Sequence, residues 1–404
     1  MTRETAQTPA LSVVLPVFNA ANFLEAALDS VLSQDFRDFE CIAIDDGSTD
    51  QSALILDEYQ RRDARMRVLH QDNAGLVETL NRGIELSLAP LIARMDADDI
   101  CLPGRFTAQM QHFRGRNDLA ALGGQIQLIN EQGDLLRTVS YPASGKELEA
   151  FLAKGSPVAH PAVMLRKAAV QKVGLFRKTF RHVEDYDLWL RLHEAGYAIE
   201  NLKVPLIGYR QHAKKVSIVH RREQAIATLA ARCAHRARLA GLPDPTISLE
   251  RLGEHVFELF PRALINDLRD EIFTARIGMN TFETEEQVAQ GLAAFSRLPV
   301  DLRHTRRGAG FLLRAALGAW RCRQYSLALA AFVGALATAP VKIAIAGAQK
   351  LAHFFRRSLS ETVPRSREEL DVRRTAGDQY ALVEGEKNPS GRSRPGRTSE
   401  LNVK

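Results

Sequence analysis

Three groups of acidic residues carry the chemistry this chain can do. Arg94-Met-Asp96-Ala-Asp98-Asp99 crowds three carboxylates into four residues, and their mutual repulsion is relieved when a cation is bound. Oxygen ligands with no cysteine nearby suit Mg2+ or Mn2+, which bind through one or two carboxylates and complete their shells with substrate phosphates. The competing reading is a solvated turn. Asp45-Asp46, followed by Gly47-Ser48-Thr49-Asp50, either caps the next helix or accepts the N–H donors of a nucleotide base. The third group opens His182-Val-Glu184-Asp185-Tyr-Asp187-Leu-Trp189-Leu-Arg191. By itself it also reads as an amphipathic helix with acids at its dipole-favoured start.

The surrounding elements place these groups. Leu11 to Pro16, Phe39 to Ile44, Met66 to His70 and Leu91 to Met95 are short apolar, β-branched runs. They alternate with helical patterns over about 21–34, 51–61 and 76–88. Such alternation predicts βαβ units and a parallel sheet, with ligands gathered at the carboxyl ends of the strands. Asp45-Asp46 and Asp96 to Asp99 both fall at such ends. A helix to Phe113, a strand over Ala120 to Leu128 and a hairpin through Asn130-Glu-Gln-Gly133 predict a mixed second half of the sheet. Past His220, helical patterns at 221–240, 249–260, 263–277 and 285–297 predict a helical appendage.

With the elements in place, five motifs stand in register: Val14-Leu-Pro-Val-Phe-Asn19, Asp45-Asp-Gly-Ser-Thr-Asp50, Asn73-Ala-Gly-Leu76, Asp96-Ala-Asp-Asp99 and Glu184-Asp185. In order and spacing, from about Leu11 to Ser217, the chain resembles the family 2 glycosyltransferases. That resemblance implies an α/β GT-A fold, inversion at the anomeric carbon and a divalent cation. The implied donor is a nucleotide-diphospho-sugar, a UDP-sugar being expected, and the implied acceptor is the hydroxyl of a glycan or lipid-linked chain in cell-surface polysaccharide or glycolipid assembly.

Carried over by position, the resemblance sets Asp46 against the nucleobase, with Pro16, Phe18 and Asn19 lining the nucleoside pocket and Asn73 and Gly75 beside it. Asp98 holds metal and diphosphate, and Asp96 and Asp99 assist through ribose, sugar or metal. Arg94 and Glu184 contact substrate, His160 lies toward the acceptor, and His212 is on the loop that closes over the donor and reaches the metal. Asp185 becomes the general base, which takes the acceptor proton while the cation offsets charge on the departing diphosphate. It is preferred to Glu184 because adjacent residues at a helix start point in different directions. Arg105 and Arg210 read either as phosphate contacts or as surface cations.

Composition excludes several classes. The 404 residues are 45% hydrophobic and 25% charged, as in soluble globular proteins rather than disordered or multi-span membrane ones. Four scattered cysteines form neither a disulfide framework nor a zinc site. With no apolar core in Met1 to Ala10, they point to the cytoplasm. A sugar nucleotidyltransferase would need a Gly-rich triphosphate loop, and none is present. A non-catalytic nucleotide-sugar-binding module would not need three acidic clusters.

The expected domains are 1–220 catalytic, 221–300 helical, 301–360 a basic and apolar helical segment, and 361–404 a disordered tail. Of the net charge of +6, ten Lys/Arg with no Asp or Glu fall between Arg303 and Arg357, around an uncharged run from Gln324 to Val341. Such a segment suits docking at the inner face of a membrane on anionic lipid. No nucleic-acid motif accompanies it, so nucleic acid is not an expected partner.

Overall fold

A computed structural model describes residues 8–212, 220–277, 284–298, 300–303 and 306–338. The expected tail at 361–404, the end of the basic segment and part of the 213–217 motif margin lie outside the described residues. The chain opens with β1 (Leu11–Val17), α1 (Ala21–Leu32), β2 (Phe39–Asp46), α2 (Ser52–Arg62), β3 (Met66–Gln71), α3 (Leu76–Leu86) and β4 (Leu91–Arg94). β1 and β2 are buried at every position, as strands covered on both faces must be. Then come β5 (Ile100–Cys101), α4 (Arg105–Phe113), β6 (Leu119–Ile129), β7 (Leu135–Val139), α5 (Gly145–Leu152), β8 (Met164–Arg166), α6 (Lys167–Lys172), α7 (Glu184–Glu194) and β9 (Ala198–Arg210).

Among the described residues nine strands join one sheet in the order β3-β2-β1-β4-β8-β6-β9-β5, with β7 on β6. β3, β2, β1 and β4 are parallel, whereas β8 runs antiparallel to β4 and β6. This is the mixed GT-A sheet that the resemblance implies. The chain reverses its direction of growth at β1, which lies between β2 and β4, and ligands of α/β sheets bind at such switch points.

β8 and β9 do not stand out in the sequence. β8 has three residues, and β9 carries Glu200, Lys203, Pro205 and Gly208 with register shifts against β6. At one shift the chains approach so closely that a Cβ on Gly124 would lie 2.5 Å from Leu206 Cδ1.

Helices follow from Arg221–Leu239 onward, packed on α7 through one cluster that includes Trp189, Leu192, Ala230, Phe257, Phe273 and Phe311. The helix expected over 249–260 is instead a 3-10 segment, Glu254–Leu259. Gly253 before it is extended, and glycine loses the most entropy on entering a helix. The helix expected at 263–277 is broken at Asn266–Leu268. Of the uncharged run, Tyr325–Thr338 is a helix lying on Arg306–Arg321; Ala328, Ala331 and Ala335 are buried, while Leu329 and Val333 are exposed. Among the described residues no helix is long and apolar enough to cross a membrane.

The α7 helix is fastened by a buried ion network. Asp187, wholly buried, accepts from Arg191 Nε at 2.9 Å and from the Arg177 guanidinium, and Arg177 Nη1 reaches Asp244 at 3.0 Å. Removing one partner from a buried pair strands the other charge. Asp187→Ala is therefore expected to cost about 3–5 kcal/mol, read from the urea midpoint. A midpoint equal to wild type would show the network to be dispensable.

Candidate active site

The ends of β1 and β2 are stapled together. Asn19 adopts φ 50°, its N–H donates to Ser48 Oγ at 3.0 Å, and its Oδ1 accepts from the Thr49 N–H at 2.8 Å. Gly47, at φ 73°, passes so near the next loop that a Cβ would lie 2.8 Å from Asn73 N. Phe18 is half exposed beside this staple, and Pro16 is buried within β1.

Asp46 ends β2 with a carboxylate already well engaged. It accepts from Gln71 Nε2 at 2.7 Å, Ala74 N–H at 2.8 Å and Gly75 N–H at 2.9 Å, while Asn73 Nδ2 donates to the Asp46 carbonyl at 2.9 Å. An anion is favoured at a helix start, and here it holds the loop Asn73 to Gly75 that opens α3. Asp45 turns to other partners, Ser48 N–H and His70 Nδ1, both at 3.0 Å, and its carboxyl is lowered: hydrogen bonds from Ser48 and His70 outweigh burial, the largest single influence.

The second cluster is assembled across the sheet. Asp96, Asp98 and Asp99 each offer a carboxylate oxygen within 4.8 Å of the others, close enough to share one cation. The end of β9 clamps this turn: Arg210 N–H donates to Asp99 Oδ1 at 2.9 Å, Arg210 Nε donates to the Asp98 carbonyl at 2.9 Å, and His212 Nε2 lies 2.8 Å from Asp98 Oδ2. Arg210 also lies over the Phe23 ring, 4.9 Å from its centroid. It is buried and its guanidinium donates to backbone carbonyls, which corrects the reading of it as a surface cation. Arg105 is corrected likewise: fully buried, it donates to the Arg94 carbonyl at 2.8 Å and to Val163 O at 3.3 Å.

Arg94 joins this cluster to the third. Its guanidinium is buried, Nη1 is 2.6 Å from Asp96 Oδ2, and it lies within electrostatic reach of Asp99 and Glu184. At the start of α7, Glu184 is buried and its carboxyl is pushed up to about 7 by burial, with Asp185 adding to the effect and backbone N–H groups and Arg94 opposing it. Burial also raises the Asp185 carboxyl. His160 is held well below its ordinary value by burial and by Arg94, and is neutral. Its Nδ1 is 3.8 Å from Glu184 Oε1, beyond hydrogen-bond length. His160 Nε2 and Glu184 Oε2 have no hydrogen-bond partner among the described residues. Buried polar atoms are rarely left so, and these two suit a hydroxyl-rich ligand.

Ser156 is a residue the sequence reading missed. Its hydroxyl lies 3.0 Å from Asp185 Oδ2 and accepts from Trp189 Nε1 at 3.0 Å, so the two α7 residues one turn apart are held by one side chain. A serine near Gly155 carries no recognisable signal, and only the packing of its loop on α7 reveals it.

The Glu184 carboxyl has a consequence for stability. Raised from 4.5 to about 7, it binds its proton more tightly in the folded chain. Its contribution is full below the unfolded value and is lost as pH rises through the folded one. The stability of wild type relative to Glu184→Gln is therefore expected to fall between pH 4.5 and about pH 7 in denaturant titrations. Parallel pH profiles would place that proton elsewhere.

Comparison with known proteins agrees with this geometry. Residues 12–174 match the family model described as Glycosyl transferase family 2. The chain is 33% identical over 207 residues to the O-antigen biosynthesis glycosyltransferase WbnJ of Escherichia coli, covering 50% of this chain and 80% of that protein. It is 29% identical over 209 residues to the amylovoran biosynthesis glycosyltransferase AmsE of Erwinia amylovora, covering 51% and 78%. The crystal structure of S. aureus TarS 1–349 aligns over 81% of this chain and 90% of that one, at 17% identity and TM-score 0.49. With a sequence relative of this identity and coverage, and the acidic clusters gathered at the switch point of a GT-A sheet, the chain belongs to glycosyl transferase family 2 and is a nucleotide-sugar-dependent glycosyltransferase.

Proposed function

We propose that this enzyme moves a sugar, with inversion, from a nucleotide-diphospho-sugar to an acceptor hydroxyl in surface polysaccharide or glycolipid assembly. The observation that carries the reading is the pairing, around buried Arg94, of an acidic cluster fit for a cation with two raised carboxyls at the start of α7. Asp96, Asp98 and Asp99, with His212 beside Asp98, are the residues that would hold Mg2+ or Mn2+, the donor set being mainly hard oxygen. When bound, that cation offsets the charge gathering on the diphosphate. Pro16, Phe18 and Asn19 line the nucleoside side, and Asp46 shapes it by holding Asn73 to Gly75. Arg94, His160 and Glu184 face the sugars. The names of the two relatives, O-antigen and amylovoran biosynthesis, support an acceptor of the polysaccharide class.

Asp185 takes the acceptor proton as the new bond to the anomeric carbon forms and the bond to the diphosphate oxygen breaks. Ser156 fixes one oxygen of that carboxylate, leaving the other for the acceptor. Because burial raises the Asp185 carboxyl, the acid limb of the rate profile should lie above the usual carboxylate range. Asp185→Asn is expected to lower turnover by roughly 10²–10⁴-fold with donor and cation affinity retained, measured by release of nucleoside diphosphate across a panel of donors. Near-wild-type turnover in Asp185→Asn with a dead Glu184→Gln would move the base by one residue.

A second reading concerns location. The exposed Leu329 and Val333 lie within the Arg303 to Arg357 stretch that carries ten cations and no acids, which supports docking on an anionic membrane surface where a lipid-linked acceptor resides. Sedimentation with anionic liposomes should retain the protein at low salt and release it as screening rises. Equal retention on neutral liposomes in high salt would defeat the electrostatic reading.

A further inference from the structure

Outside the catalytic crevice, two histidines and a glutamate meet where the first half of the chain joins the helices. His182 lies in the turn that leads into α7, and His220 directly precedes the Arg221–Leu239 helix. Their rings stack 4.2 Å apart at 14°. Glu223 Oε2 is 2.9 Å from His220 Nδ1 and 3.6 Å from His182 Nε2. One nitrogen from each ring and one carboxylate oxygen all lie within 4.8 Å of one another.

We propose that His182, His220 and Glu223 form a second cation site, of the Zn2+ class, that clasps the Arg221–Leu239 helix to the turn preceding Glu184 and Asp185. It is independent of the oxygen-rich cluster at Asp96 to Asp99. Two imidazoles and one carboxylate are a zinc donor set with a remaining position open to water, whereas Mg2+ prefers oxygen ligands alone.

Two observations support a built site rather than a chance meeting. His182 adopts φ 73°, in the left-handed region that few non-glycine residues occupy and that histidine tolerates better than most. Its carbonyl accepts from Gln224 Nε2 at 3.1 Å, so the same helix that supplies His220 and Glu223 also holds the His182 backbone.

The geometry must close for the ion to bind. Tetrahedral zinc at about 2.0–2.1 Å from nitrogen sets its ligands about 3.4 Å apart, and two parallel rings do not converge. His182, with a side chain only 10% exposed, is the fixed ligand; His220 at 33% and Glu223 at 68% have room to turn out of the stack. His182 stands two residues before Glu184 in the same turn. An ion here would therefore stiffen the turn that sets the position of the α7 carboxyls.

The test is a Zn2+ titration of the full chain by calorimetry, in excess Mg2+ so that the acidic cluster is occupied. A parallel Co2+ titration reads tetrahedral nitrogen coordination from its visible absorption. We expect one Zn2+ per chain that Mg2+ does not displace, and a rise in melting temperature on loading. His182→Asn, chosen because asparagine tolerates the left-handed backbone, and His220→Gln should each weaken Zn2+ at least about tenfold, with Asp98→Asn binding as wild type. His220 is partly exposed, so its variant decides the matter if His182→Asn melts early without metal. Absence of Zn2+ binding, binding unchanged in His220→Gln, or binding lost in Asp98→Asn would each overturn the proposal.

Discussion

A single buried guanidinium organises the crevice. Arg94 is the last residue of β4, and its positive charge is enclosed between the Asp96 to Asp99 turn on one side and the start of α7 on the other. A charge taken out of water is costly unless it is paired. Arg94 is tolerated because Asp96 meets it directly, and Glu184 and Asp185 are tolerated because Arg94 counters part of their burial. Each side of the crevice thus depends on the other. Burial, with the same cation adding to it, holds His160 well below its ordinary value, leaving an imidazole that can exchange a hydrogen bond without taking up charge.

The α7 helix divides its work by position. Glu184 and Asp185 stand at its N-terminus, where the helix dipole favours acids. Asp187 and Arg191, one turn apart, belong to the scaffold: with Arg177 they tie the helix to the preceding loop and, through Asp244, to the chain beyond the Arg221–Leu239 helix. Three acids and an arginine that look alike in one dimension are therefore divided between the crevice and the scaffold. Arg210 and Arg105 repeat the lesson. Both are cations near the crevice, yet both guanidinium groups are buried and donate to backbone carbonyls around the Asp96 to Asp99 turn.

What the sequence determined by itself was local. Alternating apolar runs and amphipathic stretches gave the parallel half of the sheet to within a few residues, because strand and helix periods are properties of neighbouring positions. The same runs placed Asp46 and Asp96 to Asp99 at strand ends, and Glu184 and Asp185 at a helix start. Where the local signal was weak, as in three-residue β8 and in β9 with its charges, proline and glycine, the elements went unread. Gly253 likewise interrupted a pattern that looked helical.

What only the tertiary structure decided was which groups meet. His212 reaches Asp98 across 114 positions of chain, Ser156 reaches Asp185 across 29, and Arg177 reaches Asp244 across 67. These pairings follow from strand order: β9 lies beside β6 and β5, so its end arrives at the turn that follows β4. Burial then sets the chemistry, raising Glu184 and Asp185 and spending Asp46 on three donors. Spacing along the chain reports the face a residue occupies. Its partner and its proton depend on what the fold packs against that face, and no local pattern encodes that.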